Sequence, residues 1–463
     1  MTLGSTFDTV LLGAVAVPLL VWIGAALVRR PQRGLLLLAA LLPFDGLLLI
    51  LPGGGSFGAW KEALLVVTLL ASLVAPVSAR REKSSDVAIP SWVPVAIVFV
   101  ALGAVSAVVA GGAIGFWGFK IGYFYVVVPF ILWRCPFDAR DRDRVVTVLM
   151  AAGALTAAYG LYQQAIGPVR LNEMGYEYNS AIRFSGSLLR SFSSFTQPFS
   201  FGLFVMLVLL VCLPVAMADP RRVRNALFLL ITPVLVVSMA SSVVRGAMLG
   251  LAVGLVLLAF WRFRGLVHAF VPASLTLLLV PGAALSAFLS SSSLNERTSG
   301  WSLIFERVLA APFGNGVGTT GAAAEKAVQL GADSADVITV GTAGQPQLYL
   351  PDNQYVKTVL ELGPVGLYLL LLLGATVVVS AVAASRRTIG DDRALAQGIA
   401  ASVVGAAAAS FVSTYLEIFP LDFYFWLTVG MLLCLDRPSS STPLLSAPPE
   451  VASRPTSVSS SAR

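Results

Sequence analysis

The residues of this sequence best suited to chemistry are five arginines and a short polar run. The arginines are Arg183, Arg190, Arg245, Arg297 and Arg307, and the run is PDNQYVKTVLELG, which supplies Asp352, Asn353, Lys357 and Glu361. A guanidinium is a planar fork that donates to two oxygens at once and stays charged at any working pH. Five of them would suit a diphosphate, if their loops fold together on one anionic lipid head group. Asp352 is placed to accept the proton of an attacking hydroxyl. It precedes a helix expected to start at Asn353, beside an apolar wall; its ordinary role there would be an N-cap, and the two roles are compatible. Asn353, Lys357 and Glu361 fall at i, i+4 and i+8 and form one polar stripe. The helix is expected to break at Gly363-Pro364. A polar half-helix ahead of a breaker lines a cavity rather than facing lipid. We therefore take Asp352 and Arg297 as candidate catalytic residues. Arg183, Arg190, Arg245, Arg307, Asn353, Lys357 and Glu361 are candidate substrate-binding residues, and no metal ligands are assigned.

The elements that must position these groups are membrane helices. The chain is 57% hydrophobic and 12% charged, with a mean hydropathy of +0.84. Soluble domains are nearer half apolar and a quarter charged, so this is an all-α polytopic integral membrane protein. Apolar runs fall at 9–28, 34–51, 60–76, 92–110, 116–133, 145–166, 196–217, 225–240 and 243–260, then at 266–290, 353–383, 395–415 and 419–435. They predict about 12–13 spans. The runs are continuous rather than alternating, which excludes a β-barrel. The first run has no basic segment before it, which predicts an uncleaved span. Residues 1–436 form the membrane domain, with a large extracytoplasmic loop over 291–352. The Ser/Pro-rich tail at 437–463 is expected to be disordered and cytoplasmic.

The connections alternate in charge. Arg29, Arg30 and Arg33, then Arg80, Arg81 and Lys83, then Arg140, Arg142 and Arg144 begin a dense basic series. Arg221, Arg222 and Arg224, Arg262 and Arg264, and Arg386 and Arg387 continue it. The positive-inside rule places that series in the cytoplasm and the candidate arginines outside. Each outer arginine also has an ordinary reading, since interfacial arginines snorkel and aromatics form membrane belts.

Other chemistry is excluded. Cys135, Cys212 and Cys434 are far apart and suggest neither disulfide framework nor metal site, and His268 is the only imidazole. The sequence has no Walker A loop or dinucleotide fingerprint, and GNGVGTTG follows no strand. An enzyme acting outside the cytoplasm cannot depend on ATP, so its substrate must arrive activated. A sugar on a lipid diphosphate fits, because the diphosphate is both leaving group and anchor. A secondary transporter or flippase is the alternative from another class, since broken helices and intramembrane charges mark those too.

The order RFSGS…SSFTQPFSFG, SMASSVVRGAMLG, ERTSGWSLIFERVLAAPFGNGVGTTG and PDNQYVKTVLELGPVGL resembles the O-antigen ligase/polymerase family of bacterial envelope biogenesis, of the Wzy and WaaL type. The likeness covers about 180–370. It implies a metal-independent, cofactor-free glycosyltransferase of GT-C-like fold in the bacterial inner membrane, its active site facing the periplasm. Such an enzyme moves glycan from an undecaprenyl-diphosphate-linked donor to an acceptor. The partners implied are those lipid-linked glycans, membrane lipid, a chain-length regulator and a flippase, and no nucleic acid. The family's diphosphate-holding role carries over to Arg183, Arg245 and Arg297. Arg307 and Gly318 fit the R-x10-G pattern described for polymerases, while Arg190 and Gly202 miss it by one. Ligases carry His-Asn where this chain has Asp352-Asn353, which favours a polymerase of repeat units over a ligase.

Overall fold

A computed structural model describes residues 24–51, 58–75, 89–261, 307–333, 336–340 and 347–435. Most of the first expected span, the span over 266–290, Arg297 and the tail lie outside those residues. The first helices are α1 (Gln32–Leu41), continued by a 3-10 turn over Leu42–Ile50, α2 (Trp60–Val74) and α3 (Trp92–Ala110). Then come α4 (Gly112–Tyr123), α5 (Val127–Arg134) and α6 (Ala139–Glu173). A hairpin of β1 (Arg183–Ser185) and β2 (Leu188–Arg190) precedes α7 (Pro198–Ala218), α8 (Val223–Ser241) and α9 (Arg245–Trp261). Beyond Arg307 lie α10 (Gly321–Gln329) and a second antiparallel pair, β3 (Thr339–Val340) and β4 (Gln347–Leu348). The last helices are α11 (Gln354–Arg387), α12 (Gly390–Ala409) and α13 (Leu421–Leu435).

The architecture is that of an all-α multi-pass membrane protein. Six helical segments among the described residues are long and apolar enough to cross a membrane: α3, α4 with α5, α6, α7, α8 and α11. α9 and α13 are apolar but shorter. This is fewer than the 12–13 spans read from the sequence, because the runs at 9–28 and 266–290 lie largely outside the described residues and other runs give shorter helices. The run at 34–51 divides between α1 and its 3-10 turn. The run at 60–76 yields only the 15 residues of α2.

Two helices that are apolar on every side form the centre, as such helices must. α7 is buried from Ser200 through Ala216 and α13 along its whole length. α9 and α12 close on α7 through glycines. A side chain at Gly250 would meet Met206 and the Gly405 carbonyl, and one at Gly398 would meet the Val211 carbonyl. Small residues at these crossings let the backbones approach.

The two ends of the bundle differ in charge chemistry. At one end the arginines close on aspartates. Arg142 is forked on Asp392 (2.9 and 2.6 Å), Arg222 on Asp143 (2.7 and 2.8 Å), and Arg30 reaches Asp138 (3.0 Å). α6, α8 and α12 start at this end and α11 finishes there with Arg386 and Arg387. The opposite end carries the hairpin, the start of α9 and the start of α11. Two helices break there at Gly-Pro pairs, α6 at Gly167 (φ 74°) and α11 at Gly363 (φ 68°). The break at Gly363 is the one expected. Glycine supplies the positive φ and the following proline cannot donate to the preceding turn.

Candidate functional site

The hairpin brings two of the candidate arginines face to face. Arg183 and Arg190 are directly opposed across the β1–β2 register, a placement that costs stability for like charges. Among the described residues neither makes an ion pair. Their Nε atoms donate to carbonyls, Arg183 to Ser180 (2.9 Å) and Arg190 to Ser242 (3.1 Å). The Arg190 guanidinium also lies 4.8 Å from the centre of the Phe199 ring, a cation–π distance. Burial, and then the positive charges of Arg183 and Arg245, pull the Arg190 guanidinium down to about 10. It remains cationic at neutral pH. Arg245 opens α9, so three of the five arginines form one electropositive site.

Serines and glutamines that the sequence reading passed over hold this site in place. After β2 the chain turns inward through Ser191, Phe192, Ser193 and Ser194, all buried. Gln163 of α6 accepts from the Phe192 and Ser193 amides (3.2 and 2.7 Å), and Gln164 donates to the Leu189 carbonyl and the Ser191 hydroxyl (2.8 and 2.7 Å). The Ser193 hydroxyl donates to the Thr156 carbonyl (2.6 Å), and the Ser191 amide to the Ser241 carbonyl (3.0 Å). Two residues flanking the arginines sit in the left-handed region, Ser193 (φ 54°) and Val243 (φ 53°). For a β-branched valine this is a true outlier, of the kind held by surrounding packing at functional sites. Val243 lies two residues before Arg245.

The second part of the site is the start of α11. Its N-cap is Asn353 and not Asp352, which corrects the expected cap by one residue. The Asn353 side-chain oxygen accepts from the Tyr355 and Val356 amides (2.8 and 3.2 Å). Asp352 is left exposed just outside the helix. Its charge reaches the Tyr349 hydroxyl, which burial first and Asp352 second hold above the usual tyrosine range.

Lys357 and Glu361 do share a helix face, but that face is closed inside the protein. Lys357 pairs with Glu361 and, at 2.9 Å, with Glu417 from the turn over Tyr415–Glu417. All three side chains are buried. One Glu361 carboxylate oxygen also accepts from the Gly318 amide (3.1 Å), the Thr320 amide (3.3 Å) and the Thr320 hydroxyl (3.0 Å). Asn315 and Gly316 donate to the carbonyls of Leu360 and Glu361 (2.8 and 3.1 Å). The GNGVGTTG loop therefore clamps the α11 half-helix. Gly318 (φ 91°) has to be glycine, since a Cβ there would sit 2.3 Å from the Ile114 carbonyl. Arg307 begins a helical turn over 307–310, and its charge is not among those that bear on Arg190.

A second, half-buried charge cluster went unread in the sequence. Asp45 accepts from Lys61 (2.9 Å) and from the Trp60 indole (2.8 Å), and Lys120 pairs with Glu62 (3.0 Å). Lys61 lies 4.0 Å from the centre of the Phe419 ring, and the buried Asp422 opens α13 nearby. The turn between α4 and α5 joins the clusters. Tyr123 is within electrostatic reach of Glu361 and Glu417, and Tyr125 of Asp422, Glu62 and Asp45. The available signal was an ionisable residue inside an apolar run, at 45, 61–62, 120 and 422, and such residues are functional candidates by default.

Chemically, the arrangement offers an anion a pair of opposed guanidiniums with a third beside them. It also offers a carboxylate, Asp352, just before the Asn353 cap of α11. No family model matches the sequence, and no curated protein matches it significantly.

Proposed function

We propose that this protein is a membrane glycosyltransferase that polymerises undecaprenyl-diphosphate-linked repeat units of a surface polysaccharide, at the outer face of the inner membrane. The observation that carries this reading is the Arg183–Arg190 pair with Arg245 beside it. Like charges directly opposed, and without an ion-pair partner among the described residues, are stabilised when a polyanion sits between them, and a lipid diphosphate brings two phosphates to the membrane surface. In the reaction the acceptor's sugar hydroxyl attacks the anomeric carbon of the donor. The bond from that carbon to the diphosphate oxygen breaks, the lipid diphosphate leaves with the electron pair, and Asp352 takes the hydroxyl proton. Arg297, in the segment before Arg307, is the further arginine that the resemblance assigns to the diphosphate. A ligase would use the same donor and leaving group with a lipid or protein acceptor.

A second reading, transport, draws on a different observation. The buried ionisable groups at 357, 361, 417 and 422 and the half-buried ones at 45, 61, 62 and 120 exceed what an inert scaffold would place among membrane helices, and transporters use such groups. The two readings separate in one assay. Purified protein with a synthetic lipid-linked repeat unit should build chains of several repeats; product of unchanged length, with the lipid moved between leaflets, would favour transport. Within that assay Arg183→Glu is the informative variant. Facing Arg190, a glutamate replaces a repulsive pair by an attractive one, which should stabilise the hairpin by about 0.2–1 kcal/mol while abolishing chain growth. Asp352→Asn should lower turnover by about 100- to 10,000-fold, the weight of a general base. Wild-type chain growth by both variants would overturn the proposed site.

A further inference from the structure

The arginine-rich end of the bundle holds an open cavity of about 580 Å3 that the proposed reaction does not use. Three helices present their N-termini to it: α6 through Ala139 and Arg140, α8 through the preceding Arg222, and α12 through the preceding Ile389. Helix N-termini carry unbonded amides and the positive ends of the helix dipoles. Carboxylates answer part of this charge. Asp138 caps α6 (2.7 Å to the Asp141 amide), and Asp391 and Asp392 occupy the first turn of α12, but the first turn of α8 contains no acid.

The wall's own acids are already engaged. Asp392 is held by the Arg142 fork, and Asp143 by Arg222 and Arg224. Asp391 lies 3.7 Å from Arg222. Arg140 is exposed on the rim and, among the described residues, makes no ion pair. The apolar part of the lining is the exposed Ile389, with Val146, Val215 and Leu395 buried behind it. An arginine rim with an exposed apolar side chain, at the end of membrane-crossing helices, matches an amphiphile with an anionic head. Basic pockets between membrane helices take such headgroups.

We propose that this cavity binds the phosphate headgroup of an anionic membrane phospholipid, with Arg140 engaging the phosphate. The exposed apolar side chain of Ile389 separates this ligand from free phosphate, which shares the head chemistry but has nothing apolar to place against it.

The test uses the full-length protein in detergent, with retained lipids counted by native mass spectrometry after addition of phosphatidylglycerol, phosphatidylcholine or inorganic phosphate. One phosphatidylglycerol should be retained in preference to phosphatidylcholine. Arg140→Ala should weaken its retention about fivefold, the weight of one basic residue at an anionic surface, and Arg140→Lys should keep most of it. Arg29→Ala, an exposed arginine outside the cavity lining, should leave it unchanged. Equal retention of the two lipids, or equal loss in the Arg29 and Arg140 variants, would overturn the site. Displacement of phosphatidylglycerol by an equal concentration of inorganic phosphate would overturn the lipid assignment.

Discussion

Glu417→Gln should remove a pH dependence of stability that the wild-type protein carries. Glu417 is buried against Lys357 and Glu361 in the turn before α13. Burial pushes its carboxyl up from the ordinary 4.5 to about 7; Lys357 opposes that rise and Glu361 adds to it. In the unfolded chain the same group titrates near its ordinary value. Between the two values the folded state binds a proton that the unfolded state has released, so stability falls as pH rises through that window. The contribution is fully present below about pH 4.5 and lost as pH passes about 7. At about 1.4 kcal/mol per pH unit, the interval corresponds to about 3 kcal/mol. Glutamine keeps the shape without the titration, and Lys357 keeps Glu361 as its counter-ion. Thermal unfolding in detergent from about pH 5 to about pH 8 should show a falling midpoint for wild type and a flatter profile for the variant. A wild-type midpoint that rises across this window, or an unchanged slope in Glu417→Gln, would refute the assignment.

Two further outcomes follow from the backbone. Asn353→Ala should lower stability by about 0.5–2 kcal/mol through loss of the α11 cap, while the exposed Asp352→Ala should change it by less than about 0.5 kcal/mol; thermal unfolding of the two variants decides, and the reverse order would return the cap to Asp352. Val243→Gly relieves a left-handed valine and should raise the unfolding free energy by about 1 kcal/mol or more. If that strain holds Arg245 against Arg190, the same variant should bind the lipid diphosphate more weakly in a direct binding assay.

The membrane class and the main helices were legible because hydropathy is a bulk property, written along twenty residues at a time. The Gly363 break was legible because glycine followed by proline is a local steric instruction. Less was legible where a side chain's fate depends on a partner distant in sequence. Lys357 and Glu361 show the correct one-face spacing, but whether that face opens on a cavity or closes on Glu417 is decided 56 residues further on. The cap at α11 turned on one residue, since Asp352 and Asn353 are equally good caps by type and only the backbone at Asn353 (φ −145°, ψ 120°) selects between them. Asp45, Lys61 and Asp422 were passed over because single charges hardly lower the mean of an apolar run.

Sorting the charges at the hairpin end by type explains why Arg183 and Arg190 make no ion pair among the described residues. Among the described residues, the inward-facing acids of that end pair with lysines, Glu361 and Glu417 with Lys357, Asp45 with Lys61, and Glu62 with Lys120, while the exposed Glu173 pairs with Arg170. At the opposite end the acids are instead taken by arginines, in forked pairs such as Arg142 on Asp392 and Arg222 on Asp143. A lysine ammonium is a compact point charge that suits a buried carboxylate, whereas a guanidinium fork suits a planar or tetrahedral oxyanion with two oxygens to offer. Had Asp45 or Glu62 faced the hairpin, Arg183 and Arg190 would have closed on them as Arg142 does on Asp392. With the lysines holding those acids inside, the two opposed forks keep, among the described residues, carbonyl partners and the Phe199 ring. The cost of setting like charges face to face is then left for a bound anion to offset.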